Sequence, residues 1–247
     1  MKRIAFFLLS VLTVSLLLSC SKHEENVLKV ATNAEYPPFE FKEGAEHKGI
    51  DIELAKLIGA KLGMKVEVLD IDFDAIIPSL VSKKADMAMS AMTITDKRKE
   101  KIDFSSPYYI ANQSLISEKT KDLTIKSEED LANYLIGVQT GTTGQSYIDE
   151  NLINKNIMKK ENLKKYPTNI EAITDMLNGN VDLVIIDDSA AKGYEKLKPI
   201  KTVYTIDSGE SYGIAFPKGS QYREKVDQAL KEILNSEDWI KILRKYL

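Results

Sequence analysis

A single cysteine in 247 residues rules out any disulfide within the chain and any cysteine-rich zinc site. Two histidines leave little material for Ser-His-Asp or Cys-His catalysis, or for a multi-histidine metal centre. Surplus positive charge is missing too. Against 34 Lys+Arg stand 37 Asp+Glu, a formal net charge of −3, which argues against non-specific nucleic-acid binding. With 43% hydrophobic and 29% charged residues, the composition is that of a globular chain, neither disordered nor polytopic in a membrane. The length permits one large domain or two of ordinary size.

The longest apolar run stands at the front. A basic start, Met1-Lys2-Arg3, leads into Ile4–Leu18, apolar except for Ser10, Thr13 and Ser15. As a helix, fifteen residues reach about 22 Å, short of the ~30 Å hydrocarbon core, so the segment reads as a secretory signal rather than a span. It ends in Leu17-Leu18-Ser19-Cys20, which resembles the bacterial lipobox, where cleavage precedes the cysteine and its thiol is lipidated. An ordinary signal with a chance cysteine is the alternative. Residues 1–19 are thus expected to be a signal peptide and 20–26 the lipidated Cys20 with a polar tether. Cleavage removes Lys2 and Arg3, so the net charge of −3 becomes −5. Several acyl chains anchor stably where one does so only marginally.

From Val27 onward, short apolar runs alternate with amphipathic stretches, the pattern of an α/β protein with mainly parallel sheets. Strands are expected at 27–32, 65–70, 85–90, 135–139 and 181–187. Helices are expected at 51–62, 74–83, 127–134, 142–152, 169–179, 189–198 and 220–235. In 51–62, Ile52, Leu54, Ala55, Ile58 and Leu62 form one stripe, while Glu53, Lys56 and Lys61 lie off it. Ser127, followed by Glu128, Glu129 and Asp130, reads as a helix start. The strand–helix units fall into two batches, 27–104 and 135–198, separated by the extended stretch 108–119 and followed by a second one, 203–216. Two lobes joined by two crossing strands account for both stretches.

In open α/β sheets, ligands bind beyond the carboxyl ends of the strands. The expected strands lead into Asn33–Tyr36, Asp72–Asp74, Ala91–Arg98, Thr140–Gly144 and Asp187-Asp188. This inventory of hydroxyls, aromatics, one Arg and an Asp pair suits a small zwitterion: a forked guanidinium for a carboxylate, an acid for an ammonium, aromatic faces for the alkyl part. Plainer readings stand beside it. Arg98 could be a solvated partner of Glu100 or Asp96, Thr93 or Thr95 a helix cap, and Asp187 and Asp188 caps of the helix near Ser189. Thr142 and Thr143 could be turn residues, and Tyr36 and Phe73 core.

Gly49–Leu54 resembles the signature of the family 3 solute-binding proteins, the amino-acid receptors of bacterial ABC importers. Ala31–Glu40, Ser90–Arg98 with Ile102–Tyr109, Gly137–Gly144 and Tyr212–Lys218 are similar to further blocks of that family, in order, over nearly all of 27–247. The resemblance implies an α/β, two-lobed periplasmic-binding-protein-like fold of type II, each lobe a mainly parallel sheet flanked by helices. It implies lobe 1 at 27–112 with 213–247, lobe 2 at 113–212, and hinge strands near 108–117 and 206–215. The substrate-binding residues it implies are Asn33, Tyr36, Phe73, Ser90, Ala91, Thr93, Arg98, Gln139, Thr143 and Asp187. Arg98 would hold the α-carboxylate with N–H groups near Thr93 and Thr143. Asp187 would pair with the α-ammonium, helped by Ser90 and Thr93. Tyr36 and Phe73 would sandwich the side chain, with Asn33, Glu35 and Gln139 near its tip. Asn33, Ala91 and Gly144 depart from some relatives and bear on which polar or cationic side chain is preferred.

The implied function is the capture of a free L-amino acid and its delivery to a membrane permease/ATPase complex, by a monomer held at the cell envelope through its lipid. No metal, cofactor, catalytic residue or nucleic-acid partner is expected. Two rivals share the fold: a periplasmic dehydratase-like enzyme, in which an acid such as Glu35 would act, and a chemosensory amino-acid receptor.

Overall fold

A computed structural model describes residues 26–247, so the expected signal peptide and Cys20 lie outside the described residues. The chain starts with β1 (Val27–Thr32) and a small antiparallel unit of β2 (Glu35–Tyr36), β3 (Glu40–Glu43) and β4 (Glu46–Lys48). Next come α1 (Ile50–Leu62), β5 (Lys65–Asp70), α2 (Phe73–Val81), β6 (Met87–Ala88) and the short α3 (Asp96–Lys99). A 17-residue strand, β7 (Ile102–Glu118), crosses into the second half. There β8 (Ile136–Gln139) and α4 (Thr143–Ile148) precede β9 (Leu163–Tyr166), α5 (Asn169–Leu177), β10 (Leu183–Asp187) and α6 (Asp188–Glu195). An 18-residue strand, β11 (Ile200–Pro217), returns, and α7 (Arg223–Leu234) and α8 (Glu237–Tyr246) finish the first half.

One eight-stranded sheet runs β5-β1-β6-β11-β7-β10-β8-β9. Its flanks are parallel: β1 lies beside β5 and β6 in one half, and β8 beside β9 and β10 in the other. The two long strands pair antiparallel to each other in the middle, from Ile102 opposite Pro217 to Glu118 opposite Ile200. They belong to both halves, which makes this the two-lobed α/β fold with two crossing strands.

Each half has its own core. In the first, Leu54 and Ile58 of α1 and Val226, Leu230 and Ile233 of α7 close over Leu28 and Val30 of β1. In the second, Leu131, Ile148 and Leu152 cover one face of Val138, Leu183 and Ile185, and Ala172, Ile173 and Met176 cover the other face around Val184 and Ile186. Strand β10 is buried at every position, which explains its unbroken apolar run.

Several expected elements are shorter or of another kind. Strand 85–90 contracts to Met87–Ala88, because the chain turns away at Ala91, whose φ is 46° and whose N–H is drawn to Asp51 at 2.8 Å. The expected helix 127–134 is a 3-10 turn, Glu128–Asn133, entered through a bond from the Ser127 N–H to Asp130. The expected helix 142–152 divides into α4 and a π-helical turn, Asp149–Ile153. Helix α8 has no counterpart in the sequence reading. Its buried face is carried by Trp239 and Ile242, and the half-exposed Ile240 blurs its period.

The halves touch closely where α6 meets the loop after β2. Tyr36 of β2 and Phe39 of that loop stack, with ring centroids 6.3 Å apart, and the Tyr194 hydroxyl of α6 donates to the carbonyl of Glu35 in β2. A Cβ on Gly193 would stand 2.5 Å from the Pro37 carbonyl oxygen and 2.8 Å from its carbon. Both obstacles are backbone, which cannot yield cheaply. Gly193→Ala is therefore expected to hold the halves apart, raising the radius of gyration in small-angle scattering without changing the circular dichroism spectrum. An unchanged radius would show that this contact does not limit the approach of the lobes.

Candidate ligand-binding site

The segments following β1, β6, β8 and β10 and the start of α2 converge on one cavity, with about 450 Å³ of atom-free space. From the first half it is lined by Asn33, Tyr36, Phe73, Ser90, Ala91, Thr93 and Arg98, and from the second by Gln139, Thr143 and Asp187. The ten residues singled out in the sequence thus share one cavity. Glu35 is not among its lining residues.

Arg98 is 8% exposed, so it is no solvated partner of Asp96 or Glu100. One terminal nitrogen donates to the Thr93 carbonyl at 2.7 Å, the other to the Gly141 carbonyl in the opposite half at 3.1 Å. Its guanidinium carbon lies 5.5 Å from the Phe73 ring centre, a cation–π contact. Two of five donors are thereby engaged, leaving others for an anion. Thr95, rather than Thr93, caps α3 by accepting from the Arg98 N–H at 3.2 Å. Thr142 caps α4 in the same way, accepting from the Gln145 N–H at 3.2 Å, and Thr143 is left facing the cavity.

Asp187 sits at the cap position of α6, yet its carboxylate makes no cap bond. It accepts from the Gln113 amide and the Tyr212 hydroxyl instead, and its own N–H donates to the Tyr36 hydroxyl at 3.3 Å. Beyond it, the Gln139 amide donates to Asn33 Oδ1 at 3.0 Å and accepts from Asn169 at 2.6 Å. Ser90 joins the Asn33 N–H, at 3.1 Å, to Glu40 Oε1, at 3.2 Å.

Five lining residues were not singled out as site residues from the sequence: Glu40, Gln113, Asn169, Ile185 and Ile186. Gln113 lies midway along β7, where nothing local marks a polar residue as inward-facing. Its register opposite Asp187 is a product of the sheet. A Cβ on Gly144 would stand 2.9 Å from Gln113 Oε1, so the glycine there makes room for the amide. Glu40 Oε2 and Gln113 Oε1 are buried without a hydrogen-bond partner. These are acceptors that a bound N–H would satisfy.

The sequence pattern of the bacterial extracellular solute-binding proteins, family 3, matches residues 28–247. The chain belongs to that family. It is 34% identical to the arginine-binding extracellular protein ArtP of Bacillus subtilis (strain 168), over 92% of this chain and 89% of that protein. Among solved structures, an ancestral arginine-binding protein bound to arginine is 40% identical, with a TM-score of 0.83, over 91% of this chain and all of that one. The ancestral amino-acid-binding protein AncCDT-1, a precursor of cyclohexadienyl dehydratase, is 34% identical with a TM-score of 0.79, over 90% of this chain and 95% of that one.

In this solute-binding protein the cavity is electrostatically costly. Burial pushes the Asp187 carboxyl up to about 7, reinforced by the charge of Glu210 and opposed by hydrogen bonds from Tyr212, Tyr36 and Gln113. Burial, and then the neighbouring Asp51, push Glu40 well above the usual carboxylate range. Burial also lifts Asp51 to about 6 against the bonds from Ala91 and Tyr108. Arg98 is pushed down to about 10 by burial, countered by Glu210 and Asp187, so it stays charged at neutral pH.

The folded protein therefore favours protonated Asp187. An unfolded carboxyl titrates near ~3.9. The associated stability is complete below that value and is lost as pH rises through about 7. Between pH 4 and 7 the amino-acid-free protein is expected to lose stability on the order of 2–4 kcal/mol through this group. Asp187→Asn should flatten that slope in calorimetric scans taken across the range. An equally steep slope in the variant would assign the loss to other groups.

Proposed function

We propose that this protein captures a free L-amino acid, with a cationic side chain preferred, and hands it to the permease of a membrane ABC importer. Amino-acid binding follows from membership of the family, with relatives named for arginine, histidine and cystine. The observation that carries the reading is the placement of Arg98 and Asp187, from opposite halves, on one buried cavity.

In this reading the α-carboxylate lies on the Arg98 guanidinium and the α-ammonium on Asp187, while Tyr36 and Phe73 flank the side chain. Burying a zwitterion is costly unless both charges are paired. Only the closed arrangement offers both partners, so the ligand favours closure through contacts it lacks when the lobes part. The closing bodies are 27–112 with 213–247 and 113–212. The preference for a cation is supported by the unpartnered oxygens of Glu40 and Gln113, and by two acids of the lining, Asp187 and Glu40, that a bound cation would help to ionise. Asn33, in place of an acid, points to selection by hydrogen bonds as well as charge. Lipidation at Cys20 would keep the monomer at the outer face of a membrane, near its permease.

A second reading, catalysis of a dehydratase type, draws on the likeness to AncCDT-1. A pure binding protein leaves prephenate and arogenate unchanged.

Arg98→Ala is expected to weaken L-arginine binding at least roughly a hundredfold, since removing one partner of a buried pair costs ~3–5 kcal/mol. Titration calorimetry measures it. Near-normal affinity in a folded variant would remove Arg98 from the role.

A further inference from the structure

We infer that Glu210 is a positioning residue: its carboxylate ties the two lobes together through the hydroxyls of Thr93 and Thr143 and so retards release of a bound amino acid. One oxygen, Oε2, accepts from both hydroxyls, at 2.7 Å from Thr93 and 2.6 Å from Thr143. The other, Oε1, accepts from the Gln113 amide at 3.1 Å. Thr93 belongs to the loop after β6 in the first half, and Thr143 is the first residue of α4 in the second. Parting the lobes must break at least one of the two bonds. Hydrogen bonds to a carboxylate are the strong kind.

The crossing strand is shaped to place this group. The β7–β11 ladder slips between Ile206 and Glu210, and Gly209 takes φ 56°. The loop of this bulge is pinned by the Gly209 N–H on Asn112 at 2.9 Å and by the Gln113 N–H on Ser208 at 3.1 Å. Such bulges re-aim side chains beside binding sites. On the facing side, the Ile94 N–H bonds the Ser211 carbonyl at 2.8 Å and the Gly213 N–H bonds the Met92 carbonyl at 3.0 Å. These bonds hold Thr93 against the same strand. With both hydroxyl protons committed to Glu210, the two oxygens meet the cavity with lone pairs only, as acceptors for a ligand N–H.

The effect on release rests on the amino-acid reading above; the effect on lobe closure does not. Release of L-arginine would be followed by stopped-flow in the wild type, Glu210→Ala, Glu210→Gln, Thr143→Val and the Glu210→Ala/Thr143→Val double variant. Small-angle scattering of each amino-acid-free protein would report the lobe spacing. Glu210→Ala should release arginine on the order of tenfold faster, with a smaller change in association. Glu210→Gln, whose amide oxygen still accepts from hydroxyls, should fall between. The alanine variant should show the larger radius of gyration when free of amino acid, and Thr143→Val should not enlarge that radius further once Glu210 is gone. Wild-type release and radius in Glu210→Ala, or additive increases of the amino-acid-free radius in the double variant, would overturn the inference. If the alanine variant does not fold, the same cycle built on Glu210→Gln decides. If the wild type binds no amino acid, the functional reading falls while the scattering comparison still judges the tie.

Discussion

A buried cation, Arg98, and a buried acid, Asp187, face one cavity from the two halves of the protein, and neither completes the other. Carbonyls of Thr93 and Gly141 take up part of the Arg98 fork, while a tyrosine and an amide soften the carboxylate. What remains is a desolvated cation and a desolvated acid, an arrangement that is uphill until something carrying both signs enters. Each half has its own core. In the proposed function, binding and lobe closure are one event.

The surroundings of those charges are organised by the crossing strands. Gln113 on β7 and Glu210 and Tyr212 on β11 reach the acid or the threonines from the seam between the lobes. A seam so furnished carries more than mechanical linkage. Its Glu210 carboxylate accepts from threonines of both halves, the contact through which the proposed tie would couple the site to the angle between them.

Much of this was legible in the residue order, for a definite reason. Parallel strands bury both faces, and their ends open onto the site, so apolar runs such as 181–186 announce both a strand and the polar residues that follow it. Asn33, Thr93, Arg98, Thr143 and Asp187 all come directly after such runs or open the helix beyond them. Their separation between cap and cavity was not legible. The Thr95 and Thr142 hydroxyls cap helices while those of Thr93 and Thr143 go to Glu210. Gln113, Asn169 and Glu40 were missed because their inward aim is set by partners 74, 30 and 50 residues away. Helix α8 was missed because Ile240 sits off its buried face.

A crystal structure of the mature protein grown with L-arginine tests the central claim most directly. The α-carboxylate is expected within hydrogen-bond distance of the Arg98 guanidinium and the α-ammonium on Asp187, with the lobes shut around them. An amino acid seated elsewhere, or turned so that its ammonium faces away from Asp187, would contradict it.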